Sequence, residues 1–114
     1  WKLPKHRLWA TVFRDDDGTP YFVAIHYDTR PITGILWRYI DGRWQSTDIG
    51  PFVREAFPGQ HVTPGTICFD EDGRLYISMQ VSKLGSWGKP DCEIVVIRSD
   101  DGGETFSLLP VSDD

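Results

Sequence analysis

Sulfur is scarce in this sequence: 114 residues carry two cysteines, Cys68 and Cys92, and one methionine. Two cysteines allow one disulfide at most, which excludes a disulfide-stapled scaffold. Cys68 falls in a strand pattern and Cys92 in a loop before another strand, so both read as free thiols. No Cys/His spacing suits a structural zinc. No apolar run approaches the ~20 residues of a membrane-spanning helix. Positive charge is also in short supply, with 12 Lys and Arg against 17 Asp and Glu, a formal net charge of -5. With no basic patch, neither nucleic acid nor a membrane is an expected partner. The chain opens on Trp1 with no Met and no signal-like segment, so the expectation is a mature, trimmed or excised piece.

What remains is ordinary for one small soluble domain, with 39% hydrophobic and 25% charged residues. Aromatics reach 13%, including five Trp, which suits strands and also sugar-binding clefts. The first seven residues are basic, contain a proline and show no period. Leu8–Phe13, Tyr21–His26, Ile35–Tyr39 and Trp44–Ile49 are β-branched or aromatic runs and predict strands. Asp17-Gly18 and Asp41-Gly42 predict tight hairpin turns between them, and Arg30-Pro31 marks a loop. Pro51, Pro58 and Gly59 mark a connector, in which Val53–Phe57 fits one helical turn. Strand signals resume at Thr66–Phe69, Leu75–Val81, Glu93–Arg98 and Phe106–Pro110, with a long Gly-containing loop over 82–92. Three segments result: 1–50, a connector over 51–65, and 66–114.

The last turn is the most informative stretch. Ser99-Asp100-Asp101-Gly102-Gly103-Glu104-Thr105-Phe106 reads Ser-x-Asp-x-Gly-x-Thr-aromatic. Ser99 and Asp101 are short acceptors for nearby backbone N–H groups, Gly102 and Gly103 tolerate positive φ, and Thr105 and Phe106 restart a strand. The octet resembles the Asp-box of sialidases and other bacterial-neuraminidase-repeat proteins, where it joins the third and fourth strands of a β-propeller blade. In that family its role is structural, which assigns Ser99, Asp101, Gly103, Thr105 and Phe106 to holding a turn together.

A repeat supports the same architecture. Asp17-Gly18 and Asp72-Gly73 lie 55 positions apart, each between matching strands. Trp37-Arg38-Tyr39-Ile40-Asp41-Gly42-Arg43-Trp44 is a shortened counterpart of the Asp-box hairpin, without its Ser and Thr. Two copies of a four-strand plan predict an all-β protein made of two propeller blades, part of a parent with six or seven. Two blades alone leave apolar faces and open edges. The expectation is therefore either a fragment of a longer propeller or copies that assemble into a ring. A single eight-stranded sandwich is the competing fold.

Candidate chemistry lies in Ala24-Ile25-His26-Tyr27-Asp28-Thr29-Arg30-Pro31 and in His61-Val62-Thr63-Pro64-Gly65-Thr66-Ile67. The order of a His-containing loop, Trp-Arg-Tyr-x-Asp-Gly-x-Trp and His-x-x-Pro-x-x-x-x-Asp-x-Asp-Gly-x-Leu-Tyr resembles the propeller polysaccharide lyases, the ulvan lyases and related rhamnose–glucuronate-cleaving enzymes foremost. The resemblance implies a secreted or periplasmic bacterial enzyme, an acidic polysaccharide as partner, and elimination or hydrolysis as reaction. It points to His26, Tyr27, Arg30 and His61 as catalytic types: a histidine base, a tyrosine proton donor and an arginine facing the uronate carboxylate. Trp87 and Arg38 are the candidate sugar-binding residues. A sialidase proper is disfavoured because no stretch resembles the arginine motif of those enzymes. The acids cluster at turns, Asp15–Asp17, Asp70–Asp72, Asp100 and Asp101, where turn chemistry accounts for them. Asp70-Glu71-Asp72-Gly73 is too compact for an EF-hand calcium loop, and no cofactor is expected. A non-catalytic propeller that binds glycan or protein is the alternative function.

Overall fold

A computed structural model describes residues 12–83 and 93–109. They form two antiparallel four-stranded sheets joined by one short helix. In chain order the elements are β1 (Phe13–Arg14), β2 (Pro20–His26), β3 (Thr33–Ile40), β4 (Arg43–Asp48), α1 (Gly50–Arg54), β5 (His61–Phe69), β6 (Leu75–Ser82), β7 (Glu93–Ser99) and β8 (Ser107–Leu109). Each strand pairs with its neighbour in sequence, in the orders β1-β2-β3-β4 and β5-β6-β7-β8. No strand is exchanged between the sheets, and the described residues make no closed ring.

The turns explain the hairpins. Asp15 Oδ1 accepts from the Asp17 and Thr19 amides at 3.0 and 2.9 Å, and Asp70 Oδ1 accepts from the Asp72 and Arg74 amides at 2.9 Å each. Gly18 and Gly73 complete the two turns with φ of +82° and +81°. The two turns are thus the same device 55 residues apart. Between β3 and β4, Asp41 and Gly42 both take positive φ, the two-residue geometry that matches strand twist.

The hairpin between β7 and β8, Ser99 to Phe106, is held by its own side chains. Ser99 Oγ donates to Asp101 Oδ1 at 2.7 Å and accepts from the Gly103 amide at 2.8 Å. Asp101 also accepts from the Glu104 and Thr105 amides and, at 2.6 Å, from Thr105 Oγ1. Phe106 folds over the turn and meets Phe52 of α1 edge-on at 5.6 Å.

Register repeats as well as turn chemistry. Phe13 pairs with Tyr21 and Cys68 with Tyr76; Tyr21 faces Arg38 and Tyr76 faces Arg98. Alternation then puts Tyr21, Val23 and Leu36 of the first sheet against Ile67, Leu75, Ile77, Met79 and Ile97 of the second, closed by Ile49, Val53 and Phe106. Each fully buried aliphatic here contributes about 1.5–3 kcal/mol of transfer free energy. The other face of the first sheet carries the aromatics: Phe22 stacks on Trp37 and meets Trp44 edge-on, and Trp44 meets Tyr39.

Three boundaries differ from the sequence-based expectation. The helical turn lies one turn earlier, Gly50–Arg54 rather than Val53–Phe57, because Pro51 suits its first positions. Strand β5 starts at His61 rather than Thr66. Pro64 and Gly65 read as loop residues, but β5 is an edge strand, where proline is tolerated, and the register shifts between Pro64 and Thr66. The connector is correspondingly short. The expected first strand, Leu8–Phe13, lies mostly outside the described residues.

Acid should loosen both turns. Asp101 is held well below the usual carboxylate range by the Thr105 hydroxyl, the Thr105 amide and Ser99, against a smaller opposing effect of burial. Burial pushes Asp70 upward, but hydrogen bonds from Arg74, Tyr76 and the Asp72 amide outweigh it and bring it down to about 2. A depressed carboxylate stabilises the fold above its unfolded pKa, and that contribution disappears as pH falls through the folded one. Thermal melts should therefore show stability lost between pH of about 4 and about 2. Asp70→Asn and Asp101→Asn together should flatten that limb.

Candidate functional site

The candidate residues Tyr27, Arg30 and His61 meet at the end of the sheets where β2 turns into β3 and β5 begins. Strand β2 ends at His26, and an exposed loop returns to β3 through a cis Arg30–Pro31 peptide. The loop is folded on its own backbone. Arg30 donates to the Tyr27 and Thr29 carbonyls at 2.7 and 2.9 Å, and Thr29 Oγ1 donates to the Pro31 carbonyl at 3.0 Å. Tyr27 is exposed, its ring free to meet a ligand edge or face.

His61 ties that loop to the second sheet. The Ile32 amide donates to His61 Nδ1 at 2.8 Å, and the Val62 amide donates to the Ile32 carbonyl at 2.9 Å. With Nδ1 accepting, the ring proton sits on Nε2. Burial first, then the charges of Arg30 and Arg54, push the imidazole below its ordinary value. His61 is therefore neutral at neutral pH, with its basic nitrogen already engaged.

Arg54 is the second arginine beside it, donating from Nε to the Gln60 carbonyl at 3.0 Å and from Nη2 to the Ile32 carbonyl at 2.7 Å. Asp48 lies close by, accepting from Thr33 Oγ1 at 2.6 Å and the Gly50 amide at 2.9 Å. A side chain at Gly50 would collide with Thr33 Oγ1 and the Arg54 guanidinium, so this corner closes only on glycine. Among the described residues Arg30 has no carboxylate within 4.0 Å and keeps positive potential for a ligand, whereas the Asp48 carboxylate lies near enough to Arg54 to offset part of its charge. His26 sits on the same strand end, a third exposed, with Nε2 at 3.9 Å from Asp28.

Other candidates lie elsewhere. Arg38 is not at this end. It is buried between the sheets and donates to the Gly102 carbonyl of the β7–β8 turn at 2.8 Å, where Coulomb attraction to carbonyl oxygen replaces contact with solvent or sugar. Trp87 and Cys92 lie outside the described residues. Asp70 is committed to Arg74, Tyr76 and two backbone amides, and no group of three potential metal ligands occurs among the described residues. A shallow groove of about 390 Å³ lies between α1 and the β7–β8 hairpin, lined by Phe52, Glu55, Ala56, Phe106, Ser107 and Leu108; none of the described candidates for catalysis or sugar binding borders it.

Sequence reasoning missed Arg54, Asp48 and Thr33. The available signal was an arginine inside the helical turn, seven residues before His61. Comparison with family profiles, with curated proteins and with solved structures finds no match. The reading of this site rests on its own residues.

The His61 geometry gives a direct test. A histidine held below its unfolded pKa withholds protons that the unfolded chain binds, so stability falls as pH drops beneath about 6.5. His61→Asn keeps an acceptor for the Ile32 amide but cannot titrate. Urea midpoints of the native chain should decline between pH about 7 and about 5, above the carboxylate range, and those of His61→Asn should stay level.

Proposed function

We propose that this chain is a two-blade portion of an Asp-box β-propeller acting on an acidic, uronate-containing polysaccharide by elimination or hydrolysis. The observation that carries the reading is the junction at one end of the sheets, where the loop of Tyr27 and Arg30, next after His26, is joined through Ile32 to His61 and Arg54, with no carboxylate of the described residues within 4.0 Å of Arg30. Arg30 is the residue for the substrate carboxylate, because it is exposed and already oriented by its loop. In elimination, His26 takes the proton on the carbon beside the carboxylate. The electron pair forms the new double bond as the glycosidic oxygen departs, and Tyr27 gives that oxygen a proton. Arg30 balances the negative charge that builds on the carboxylate. His61 positions the loop rather than acting as base, since its Nδ1 is engaged.

A second reading, a non-catalytic glycan-binding propeller, is favoured by that same engagement. One experiment separates the two. Soluble polyuronates are incubated with this chain and with any longer protein that contains it, and the ultraviolet absorbance of an unsaturated uronate and new reducing ends are followed. Catalysis gives product that His26→Ala abolishes while retention on a polyuronate column persists. Binding alone gives retention without product. Arg30→Ala should weaken retention about tenfold in either case, the equivalent of ~1.4 kcal/mol. Loss of neither activity nor retention in His26→Ala, His61→Ala and Arg30→Ala would overturn the site.

A further inference from the structure

The outer face of the second sheet repeats the inner face of the first. Strand register equates Tyr76 with Tyr21, Val96 with Leu36, Arg98 with Arg38, Leu109 with Thr47 and Cys68 with Phe13. The tyrosines do the same work: Tyr21 is hydrogen-bonded to Asp15 and Tyr76 donates to Asp70 at 2.9 Å. In the first sheet this face is covered by the Asp-box turn. Arg38 and Thr47 donate to the Gly102 and Gly103 carbonyls at 2.8 and 2.9 Å, and Gly103 lies against Leu36. In the second sheet the same positions are only half-buried or open: Tyr76, Val96, Arg98 and Leu109 keep part of their surface in solvent, Cys68 is exposed, and Ile94, on the same face, is 57% exposed.

We propose that the outer face of the second sheet is a docking surface for a further four-stranded sheet carrying an Asp-box turn, with Arg98 capping a backbone carbonyl of that turn. Arg98 is poised for the role. Its Nε is out of solvent and lies 3.2 Å from Asp100 Oδ1, an ion pair, but off the hydrogen-bonding direction. Arg38 Nε is likewise out of solvent and without a hydrogen-bond partner while its Nη1 donates to Gly102, so a carbonyl acceptor from an incoming turn would meet the terminal nitrogens of Arg98 as Gly102 meets Arg38.

The occupant is a different sheet and not a second copy of the chain. A copy's only Asp-box turn already sits on its own Arg38 and Thr47, and the corresponding β3–β4 turn of the first sheet is the two-residue Asp41–Gly42 turn. The face also has its own relief. Gly34, which lets Pro64 approach the first sheet, is matched by Ile94, and Val23 by Ser78. The incoming sheet must therefore be small opposite Ile94 and large opposite Ser78. The proposal uses nothing of the sugar chemistry and stands or falls separately from it.

The test appends a copy of residues 50–109 to the C-terminus of the full chain, with Ile94→Gly and Ser78→Val in the original second sheet to restore the match to Gly34 and Val23. Cys92 and the appended cysteines are replaced by serine, leaving Cys68 to report on its face through reaction with a thiol reagent. Docking should slow Cys68 labelling at least tenfold relative to the unextended chain carrying the same substitutions. Arg98→Ala should restore severalfold of the lost rate while leaving the circular dichroism of the unextended chain unchanged. Labelling at the unextended rate would overturn the proposal. So would sedimentation of the unextended chain as a dimer in which Cys68 is protected, because a second copy would then be the occupant.

Discussion

Replacing Gly103 by alanine should remove about 3 kcal/mol or more of stability and lower Tm by ten degrees or more. Two effects add. Gly103 has φ of +103°, outside the region an L-residue tolerates without strain. An added Cβ would also lie 2.6 Å from Leu36 Cδ2 and 3.1 Å from Arg38 Cδ, well inside van der Waals contact. The turn cannot retreat from Leu36 without pulling the Gly102 and Gly103 carbonyls off Arg38 and Thr47. Against a total of roughly 5–15 kcal/mol for a domain of this size, the loss is large. Gly102→Ala, at φ +78° but with only Arg38 Nη1 at 3.9 Å, isolates the strain from the clash and should cost less. Equal losses for the two variants, read from urea midpoints, would show that the contact with Leu36 contributes nothing.

Leu36→Ala should cost about 2–5 kcal/mol, because the side chain is fully buried at the centre of the shared core. The same truncation opens the space that the Gly103 Cβ would need. In the double variant the two losses should fall short of their sum by about 1 kcal/mol or more, since contacting residues couple. Simple additivity in the double-mutant cycle would place the β7–β8 turn away from Leu36 and contradict the packing described.

The strands were legible because their signals are local. Runs such as Glu93–Arg98 and Tyr21–His26 are β-branched or aromatic, and Asp-Gly pairs mark the turns between them. The start of β5 was not legible, because Pro64 and Gly65 are breakers in isolation and only the edge position of that strand accommodates them. Arg38 shows the larger gap. Its place beside Trp37 suggests a sugar-binding cation, whereas its acceptor lies 64 residues away on another sheet. The candidate site divides in the same way. Tyr27 and Arg30 sit in one loop that any reading would single out. His61 and Arg54 reach that loop only through tertiary hydrogen bonds to Ile32, a residue with nothing polar in its side chain to announce the junction.

Strands that pair only with their sequence neighbours also set the order of events in folding. Every hairpin in both sheets closes a short stretch of chain, so the entropy lost in forming one sheet is modest and does not await the other. Both sheets carry the Asp15- or Asp70-type turn, and the second adds the self-bonded Ser99–Phe106 turn. The second sheet is therefore expected to form first, with Arg38 reaching its carbonyl only when the first sheet packs against it.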